Sequence, residues 1–152
     1  MASDAKSSDD RVNEELLDQL SLYGRRARGA VERIAPELSF AEYSLLGQVS
    51  AEDGVRAHDL ARVFGLDKST VSRQLAGLTR RGLIERDESR SVRVTPAGAR
   101  LLRSTRAALL ELLGDRIADW SPEERRTFAD LMRRYNAADP ESGGDHGHGS
   151  HG

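Results

Sequence analysis

Apolar residues recur at helical intervals along most of this 152-residue chain. Over residues 10–34 they predict one long amphipathic helix. The short polar segment before it, residues 1–9, is expected to be disordered. Ser39 and Glu42 then form a capping-box signature, which predicts a second helix through about Ser50.

Two shorter helices and a hairpin are predicted next. The segment HDLARVF favours a short helix that Gly65 ends, and Asp67 is a good N-cap for the following helix, which is expected to reach about Arg81. Gly82 supplies the left-handed residue that ends this helix. The stretches LIER and SVRV, on either side of the polar turn DESR, predict a small β-hairpin.

Two more helix starts follow the hairpin. TPAG, beginning at Thr95, predicts a helix through about Ile117, and SPEE, beginning at Ser121, predicts a last amphipathic helix. The tail, residues 139–152, is rich in Gly and His and is expected to be disordered. The predicted fold class is therefore all-α with a small β-hairpin wing.

Charge is distributed unevenly along the chain, although the formal net charge is only −2. Between Arg56 and Arg106, twelve Lys and Arg stand against five Asp and Glu, a local charge of +7, whereas the rest carries −9. A basic middle between acidic ends is typical of a nucleic-acid site. A merely solvated charged face is the alternative.

Composition excludes several other classes of site. The chain has no cysteine, so disulfides, thiolate metal sites and cysteine nucleophiles are ruled out. No apolar run approaches the roughly 18 residues of a membrane span, and the first residues lack the apolar core of a signal peptide. We therefore expect a soluble cytoplasmic protein with no membrane partner.

Three residues carry the spacing of a helix-turn-helix. Ala61 is small enough for two helices to cross closely, Gly65 can form the turn, and Val71 can seat the second helix on the first. Two ordinary packed helices are the alternative. The remaining core contacts are expected from Leu60, Phe64 and Leu66.

The second of these helices has two different faces. On a helical wheel, Val71 and Leu75 share one side with Leu78, while Ser69 and Arg73 lie opposite with Ala76 and Arg80. Such a polar face suits the major groove, where Arg pairs with guanine O6 and N7. Lys68 and Thr70, near the helix N-terminus, are expected to contact phosphate.

The hairpin adds basic residues to the motif, and its tip is expected to reach the neighbouring minor groove. With this wing, the chain resembles the MarR family of bacterial transcriptional regulators, most specifically in LARVFGLDKSTVSRQLAGLTRRGLIER and TPAGARLL. The resemblance covers about residues 10–138, with a winged helix-turn-helix at 39–95 and dimerisation helices at 10–35 and 96–138.

What the resemblance implies is a six-helix homodimer that binds a pseudo-palindromic operator in double-stranded DNA. It places Ser69 and Arg73 at base contacts and Arg90 near the wing arginine that enters the minor groove, with a contact to the DNA backbone as the alternative for Arg90. The chain departs from the family in its wing, which has DESR where Asp-x-Arg is usual, and at Gln74, which replaces an apolar residue. The expected DNA-binding residues are Lys68, Ser69, Thr70, Ser72, Arg73, Gln74, Arg80, Arg86, Arg90 and Arg93.

Other candidate sites are weaker. Many members of the family release DNA on binding small aromatic acids, so Tyr23, Tyr43 and Trp120 could line an effector pocket, with core or dimer packing as the alternative. His58 is expected to be a surface residue. The histidines of the tail, at 146, 148 and 151, lack fixed geometry, so no metal site and no cofactor are expected.

These observations together predict a dimeric, sequence-specific transcriptional regulator, with repression as the expected sign. A non-specific architectural DNA binder is the alternative, which Ser69, Arg73 and the acidic ends disfavour. The chain has no Gly-rich phosphate loop, nucleophile elbow or cluster of His with carboxylates, and this argues against an enzyme.

Overall fold

The computed structural model describes residues 2–52, 54–88 and 91–137, with side chains from residue 8 onward. Over these ranges it contains six helices and one two-stranded hairpin, which confirms the predicted fold class. The tail lies outside the described residues. The elements are α1 (Ala2–Ile34), α2 (Phe40–Ala51), α3 (Ala57–Phe64), α4 (Lys68–Arg80), β1 (Ile84–Arg86), β2 (Val92–Val94), α5 (Pro96–Arg116) and α6 (Pro122–Ala137).

The chain divides into two compact units, residues 1–111 and 112–152. The first contains the hydrophobic core, and α1 enters it only through its last turns, at Val31. This helix begins at Ala2, well before the expected start at Asp10. Residues 2–9 are therefore helical rather than disordered. Adding residues to an existing helix requires no new nucleus, so a polar composition did not stop it.

Helix starts follow the predicted caps. Ser39 Oγ accepts a hydrogen bond from Glu42 N at 3.2 Å, and the Glu42 carboxylate accepts from Ser39 N at 2.9 Å, which completes the capping box. In α5, Thr95 Oγ1 accepts from Gly98 N at 3.1 Å. These side chains satisfy N–H groups that have no partner inside the helix. Both predicted caps are confirmed.

The helix-turn-helix is formed by α3 and α4. Gly65 ends α3 in the left-handed conformation with φ of 59°, and Leu66 N donates to Ala61 O at 3.0 Å. Val71 is fully buried between the helices. Leu66 was expected in the core and is instead 39% exposed, so that prediction was wrong. Its position just beyond the tight turn carries it out of the interface between the helices.

The wing is a short antiparallel hairpin with a buried root. Ile84 pairs with Val94 and Arg86 with Val92 in the β1–β2 register. Val92 N also donates to Val55 O at 2.9 Å, so the segment before α3 pairs with the other edge of β2. The wing is therefore fixed to the core along β2 as well as through its own turn.

The second unit contains the end of α5 and all of α6. Ser121 caps α6 by accepting from Glu124 N at 3.2 Å, and Ser121 N donates to the Glu124 carboxylate at 2.7 Å. That backbone hydrogen bond lowers the pKa of Glu124 below its usual value. Trp120 packs edge-on against Phe128 with ring centroids 5.4 Å apart. No residue of α6 is buried within the single chain.

Candidate nucleic-acid interface

The predicted division of α4 into two faces is confirmed. Its apolar residues, Val71, Leu75 and Leu78, are fully buried. The side chains that lie opposite, and the helix's first residue, are exposed; they are Lys68, Ser69, Arg73, Ala76 and Arg80. The other expected contacts on this helix, Thr70, Ser72 and Gln74, are half-buried. The helix thus presents one continuous polar surface, on a backbone held by the core.

The N-terminus of α4 is organised by one carboxylate. Asp67 Oδ1 accepts hydrogen bonds from Ser69 Oγ and from Thr70 N, the latter at 2.8 Å, and Asp67 Oδ2 accepts from Thr70 Oγ1. Arg73 Nη2 donates to Thr70 Oγ1 at 3.3 Å. The hydroxyl of Ser69, followed by the hydroxyl and the backbone N–H of Thr70, holds the pKa of Asp67 well below its usual range.

This network bears on the expectation that Thr70 contacts phosphate. Its backbone N–H and its hydroxyl hydrogen are both donated to Asp67, which fills the place an anion would take at this helix end. Lys68 is exposed beside Thr70, and it takes no part in the hydrogen bonds just described. Phosphate binding at this end of α4 therefore remains a prediction for Lys68 more than for Thr70.

The C-terminal end of α4 is held by Arg81, a residue that sequence reasoning did not single out. Arg81 Nη2 forms an ion pair with the Glu42 carboxylate of α2, and Nη1 donates to Glu37 O. The same carboxylate closes the capping box at Ser39. Arg80 points to solvent whereas Arg81 connects α2 to α4, so the two adjacent arginines have different roles. No local pattern distinguishes them, because the partners lie about forty positions earlier in the chain.

The two described arginines of the wing lie on opposite faces of the hairpin. Arg86 pairs with Val92 in the register, and Arg93 follows Val92 directly. Because successive side chains of a strand point to opposite faces, Arg86 shares a face with Val92 while Arg93 shares the other with Glu85. Both arginines are exposed. Arg90, the expected minor-groove residue, lies outside the described residues.

This placement predicts different roles for the two arginines. A hairpin presents one face toward a duplex, so we expect only one of Arg86→Ala and Arg93→Ala to reduce the slope of log affinity against log salt, by about one phosphate per half-site. Binding titrations across a salt series would measure both slopes. Equal reductions by the two substitutions would contradict this prediction.

Asp87 and Ser91 bind each other across the end of the wing. Asp87 Oδ1 accepts from Ser91 N at 2.9 Å, and Asp87 N donates to Ser91 O at 3.0 Å. An Asp at the start of a loop often forms such bonds to the backbone. That tendency could have identified this role from the sequence.

A cleft of about 500 Å³ lies between α2, α3 and the first half of α5. Tyr43 is the one candidate effector residue that lines it, whereas Tyr23 is 63% exposed on α1 and is not among the lining residues. Trp120 belongs to the second unit, where it contacts Phe128. The cleft residues are Tyr43, Ser44, Gly47, Gln48, Ser50, Ala51, Phe64, Leu102, Arg103 and Arg106.

The remaining candidate residues are His58 and the three histidines of the tail. His58 is exposed, with Nε2 at 3.2 Å from the Asp59 carboxylate. Among residues 2–52, 54–88 and 91–137, no three His, Asp or Glu side chains are grouped as metal ligands. None of the helices in these ranges is long and apolar enough to cross a membrane. The three tail histidines lie outside the described residues.

The structure combines a tight turn, a helix with one buried and one exposed polar face, and a hairpin fixed beside that helix. Together these features define a winged helix-turn-helix DNA-binding protein. The sequence profile of the MarR family matches residues 37–93. The chain is 33% identical over 113 residues to the uncharacterised HTH-type transcriptional regulator YxaD of Bacillus subtilis (strain 168), which covers 70% of this chain and 79% of YxaD. The chain belongs to the MarR family of DNA-binding transcriptional regulators.

Solved structures agree with this assignment. A crystal structure of MarR superposes with a TM-score of 0.73 at 27% identity, covering 79% of this chain and 87% of MarR. The PcaV regulator of Streptomyces coelicolor, in complex with its natural ligand, has a TM-score of 0.61 at 26% identity, covering 79% and 92% of the two chains. The family and fold are those of regulators and not of enzymes, which confirms the exclusion of an enzyme.

Proposed function

We propose that this protein is a homodimeric, sequence-specific repressor that binds a pseudo-palindromic operator in the bacterial cytoplasm and is released by a small aromatic acid. The observation that carries the proposal is the exposed polar face of α4, with Ser69 and Arg73 at its centre. These groups can hydrogen-bond base edges in a major groove.

Sequence-specific binding is favoured over coating of DNA by two features. The long guanidinium of Arg73 is linked to Thr70 at 3.3 Å, and such positioning helps to discriminate bases. Outside Arg56–Arg106 the chain carries −9, which repels DNA that approaches from any other side. An architectural protein would instead be expected to spread positive charge over much of its surface.

Selection of bound sites from a random pool of duplex DNA would test the proposal directly. We expect enrichment of a site with two-fold symmetry, whose half-site centres are about 10 base pairs apart or a multiple of that spacing. Binding without any enrichment would favour the architectural alternative. An enriched site with no symmetry would contradict the homodimer.

The case for a dimer comes from apolar side chains that the chain leaves uncovered. On α1, Val12, Leu16 and Leu17 are more than half exposed, and on α6 the same holds for Leu131 and Tyr135. Apolar stripes of this size are unusual on a helix of a monomeric protein, and a symmetric interface would bury them. The dimerisation segments proposed are the terminal helices, residues 10–35 and 96–138.

We expect Leu131→Gln to raise the dimer dissociation constant by about 100-fold or more. A buried Leu side chain contributes about 2 kcal/mol, and each dimer loses two of them. Sedimentation velocity over a nanomolar to micromolar range would measure the change. Arg126→Gln, on the opposite side of α6, is the matched control and should leave the constant unchanged; a monomeric wild-type protein that binds the whole operator would contradict the model.

The effector part of the proposal places the ligand in the cleft of the first unit. Tyr43 and Phe64 offer aromatic surface, and Arg103 and Arg106 offer positive charge to a carboxylate. The volume of about 500 Å³ suits a small organic molecule. PcaV, a structural relative with this fold, was crystallised with its natural ligand.

We expect Arg106→Ala to raise the concentration of salicylate or benzoate needed to release operator DNA roughly tenfold, because a charged hydrogen bond to the carboxylate is lost. Fluorescence anisotropy of labelled operator at increasing acid concentration would measure release. Arg100→Ala, on the same helix but not lining the cleft, is the control. If both variants respond as the wild type does, the cleft is not the effector site.

A further inference from the structure

The hydroxyl groups at the start of α4 have their hydrogen atoms committed. An ionised carboxylate has no hydrogen to donate, so in the contacts of Asp67 with Ser69 Oγ and Thr70 Oγ1 both hydroxyls are the donors. The same contacts lower the pKa of Asp67, which favours its ionised form. Each hydroxyl oxygen retains only its lone pairs for other partners.

Thr70 already uses one of its lone pairs within the protein. Its oxygen accepts a hydrogen bond from Arg73 Nη2, so the guanidinium is connected to Asp67 through Thr70. Ser69, by contrast, is exposed on the polar face of the helix. The oxygen of Ser69 therefore faces solvent as an acceptor, and Arg73 beside it offers only donors.

From this contact of one carboxylate with both hydroxyls, we infer that Asp67 fixes Ser69 as a hydrogen-bond acceptor toward DNA, so that Ser69 selects a base with an exocyclic amine. In the major groove those amines are adenine N6 and cytosine N4. A serine with a free hydroxyl could instead donate its hydrogen to guanine or to thymine O4. Asp67 is thus a positioning residue that determines specificity without touching a base.

The inference also constrains the order of bases in the operator. Ser69 and Arg73 are one helical turn apart, about 6 Å along the axis. Stacked bases rise about 3.4 Å per step. The amine-bearing base read by Ser69 should therefore lie within about two steps of the guanine read by Arg73. This pattern would be visible in the selected operator before any substitution is made.

The inference rests on the proposed function, and its test uses base analogues in the selected operator. Adenine is replaced by purine and cytosine by 2-pyrimidinone, each of which lacks the amine, and guanine by 7-deazaguanine, which lacks N7. Each duplex is titrated with the full-length wild type, Ser69→Ala, Asp67→Gly and Asp59→Asn. Gly is tolerated at an N-cap, so Asp67→Gly is expected to fold, which thermal unfolding would verify.

For the wild type we expect loss of one amine per half-site to weaken binding roughly 3- to 10-fold, as for one hydrogen bond. The same deletion should have no effect on Ser69→Ala. Asp67→Gly removes both acceptor oxygens, so the Ser69 hydroxyl is released and the ratio of affinities for duplexes with and without the amine should fall toward one. The measured quantity is the ratio of affinities for the duplexes with and without the amine, because any change of charge alters both affinities equally. Asp59→Asn, which removes the same charge from α3, should behave as the wild type.

Three results would overturn the inference. Ser69 could couple to loss of N7 instead of an amine, which would reverse its polarity. Ser69→Ala could bind every duplex as the wild type does, which would remove Ser69 from base reading. Asp67→Gly could retain the full effect of losing the amine, which would remove Asp67 from its role. In all three the selected operator still binds, so the proposed function would stand; failure to select any operator would instead overturn that proposal.

Discussion

Replacing Gly98 with alanine is expected to destabilise the protein by more than about 3 kcal/mol, because a backbone atom occupies the space a methyl group would need. A Cβ at this position would lie 2.0 Å from Leu83 O and 3.0 Å from Val94 Cγ1. The carbonyl of Leu83 cannot move alone, since it accepts a hydrogen bond from Thr95 N at 3.1 Å. Relief would require α5 to move away from the wing.

Thermal and denaturant unfolding would measure this loss. Gly114→Ala, on the same helix, is the control, since nothing lies within 4 Å of the added Cβ. That substitution should be neutral or stabilise the helix by up to about 1 kcal/mol. A Gly98→Ala protein as stable as Gly114→Ala would show that α5 and the wing root are not closely packed.

The features that could be predicted from the sequence are those governed by neighbouring residues. The caps at Ser39 and Thr95, and the left-handed turns at Gly65 and Gly82, follow from local hydrogen bonding and backbone preference. The two faces of α4 follow from its periodicity. These local rules were enough to indicate the fold class and the position of the polar surface.

Features that depend on distant residues could not be predicted in this way. The sequence shows two adjacent arginines at the end of α4, but only the folded chain brings Glu42 and Glu37 to Arg81 and leaves Arg80 in solvent. Likewise, the TPAG motif predicts a helix start, and not that Gly98 lies against Leu83 O. Partners this far apart along the chain leave no periodic signal.

The types of residue in the candidate interface were predicted from the sequence, but their arrangement was not. Residue type placed arginines in the wing, yet the register was needed to show that Arg86 and Arg93 face opposite ways. Asp67 was expected to cap α4, and it does so while also binding the hydroxyls of Ser69 and Thr70. A capping signature predicts the backbone bond and does not reveal which other side chains the carboxylate holds.

The C-terminal end of α4 is tied to other elements, and this prepares its polar face for a rigid ligand. Arg81 joins the C-terminal end to α2 through Glu42. Just beyond it, Thr95 Oγ1 donates to Gly82 O at 2.6 Å, which holds the turn that leads into the wing. Since the helix cannot shift freely, its side chains meet a duplex in positions that are set before binding.

From that fixed position, Arg73→Ala is expected to weaken operator binding by about 1 to 3 kcal/mol per half-site and to relax discrimination at one base pair. Arg73 is exposed on the face opposite Val71 and Leu75. Its fork can donate two hydrogen bonds to guanine O6 and N7. Titrations on the selected operator and its single-base variants would measure both effects.

Two further variants separate base reading from loss of charge. Arg73→Lys keeps the charge but not the planar fork, so it should preserve the salt dependence while losing discrimination at that base pair. Arg62→Ala removes a charge from α3, where the side chain is 83% exposed, and should weaken binding to all sequences alike, if at all. If Arg73→Ala also weakens binding to every sequence equally, Arg73 contacts phosphate and the base is read by another residue.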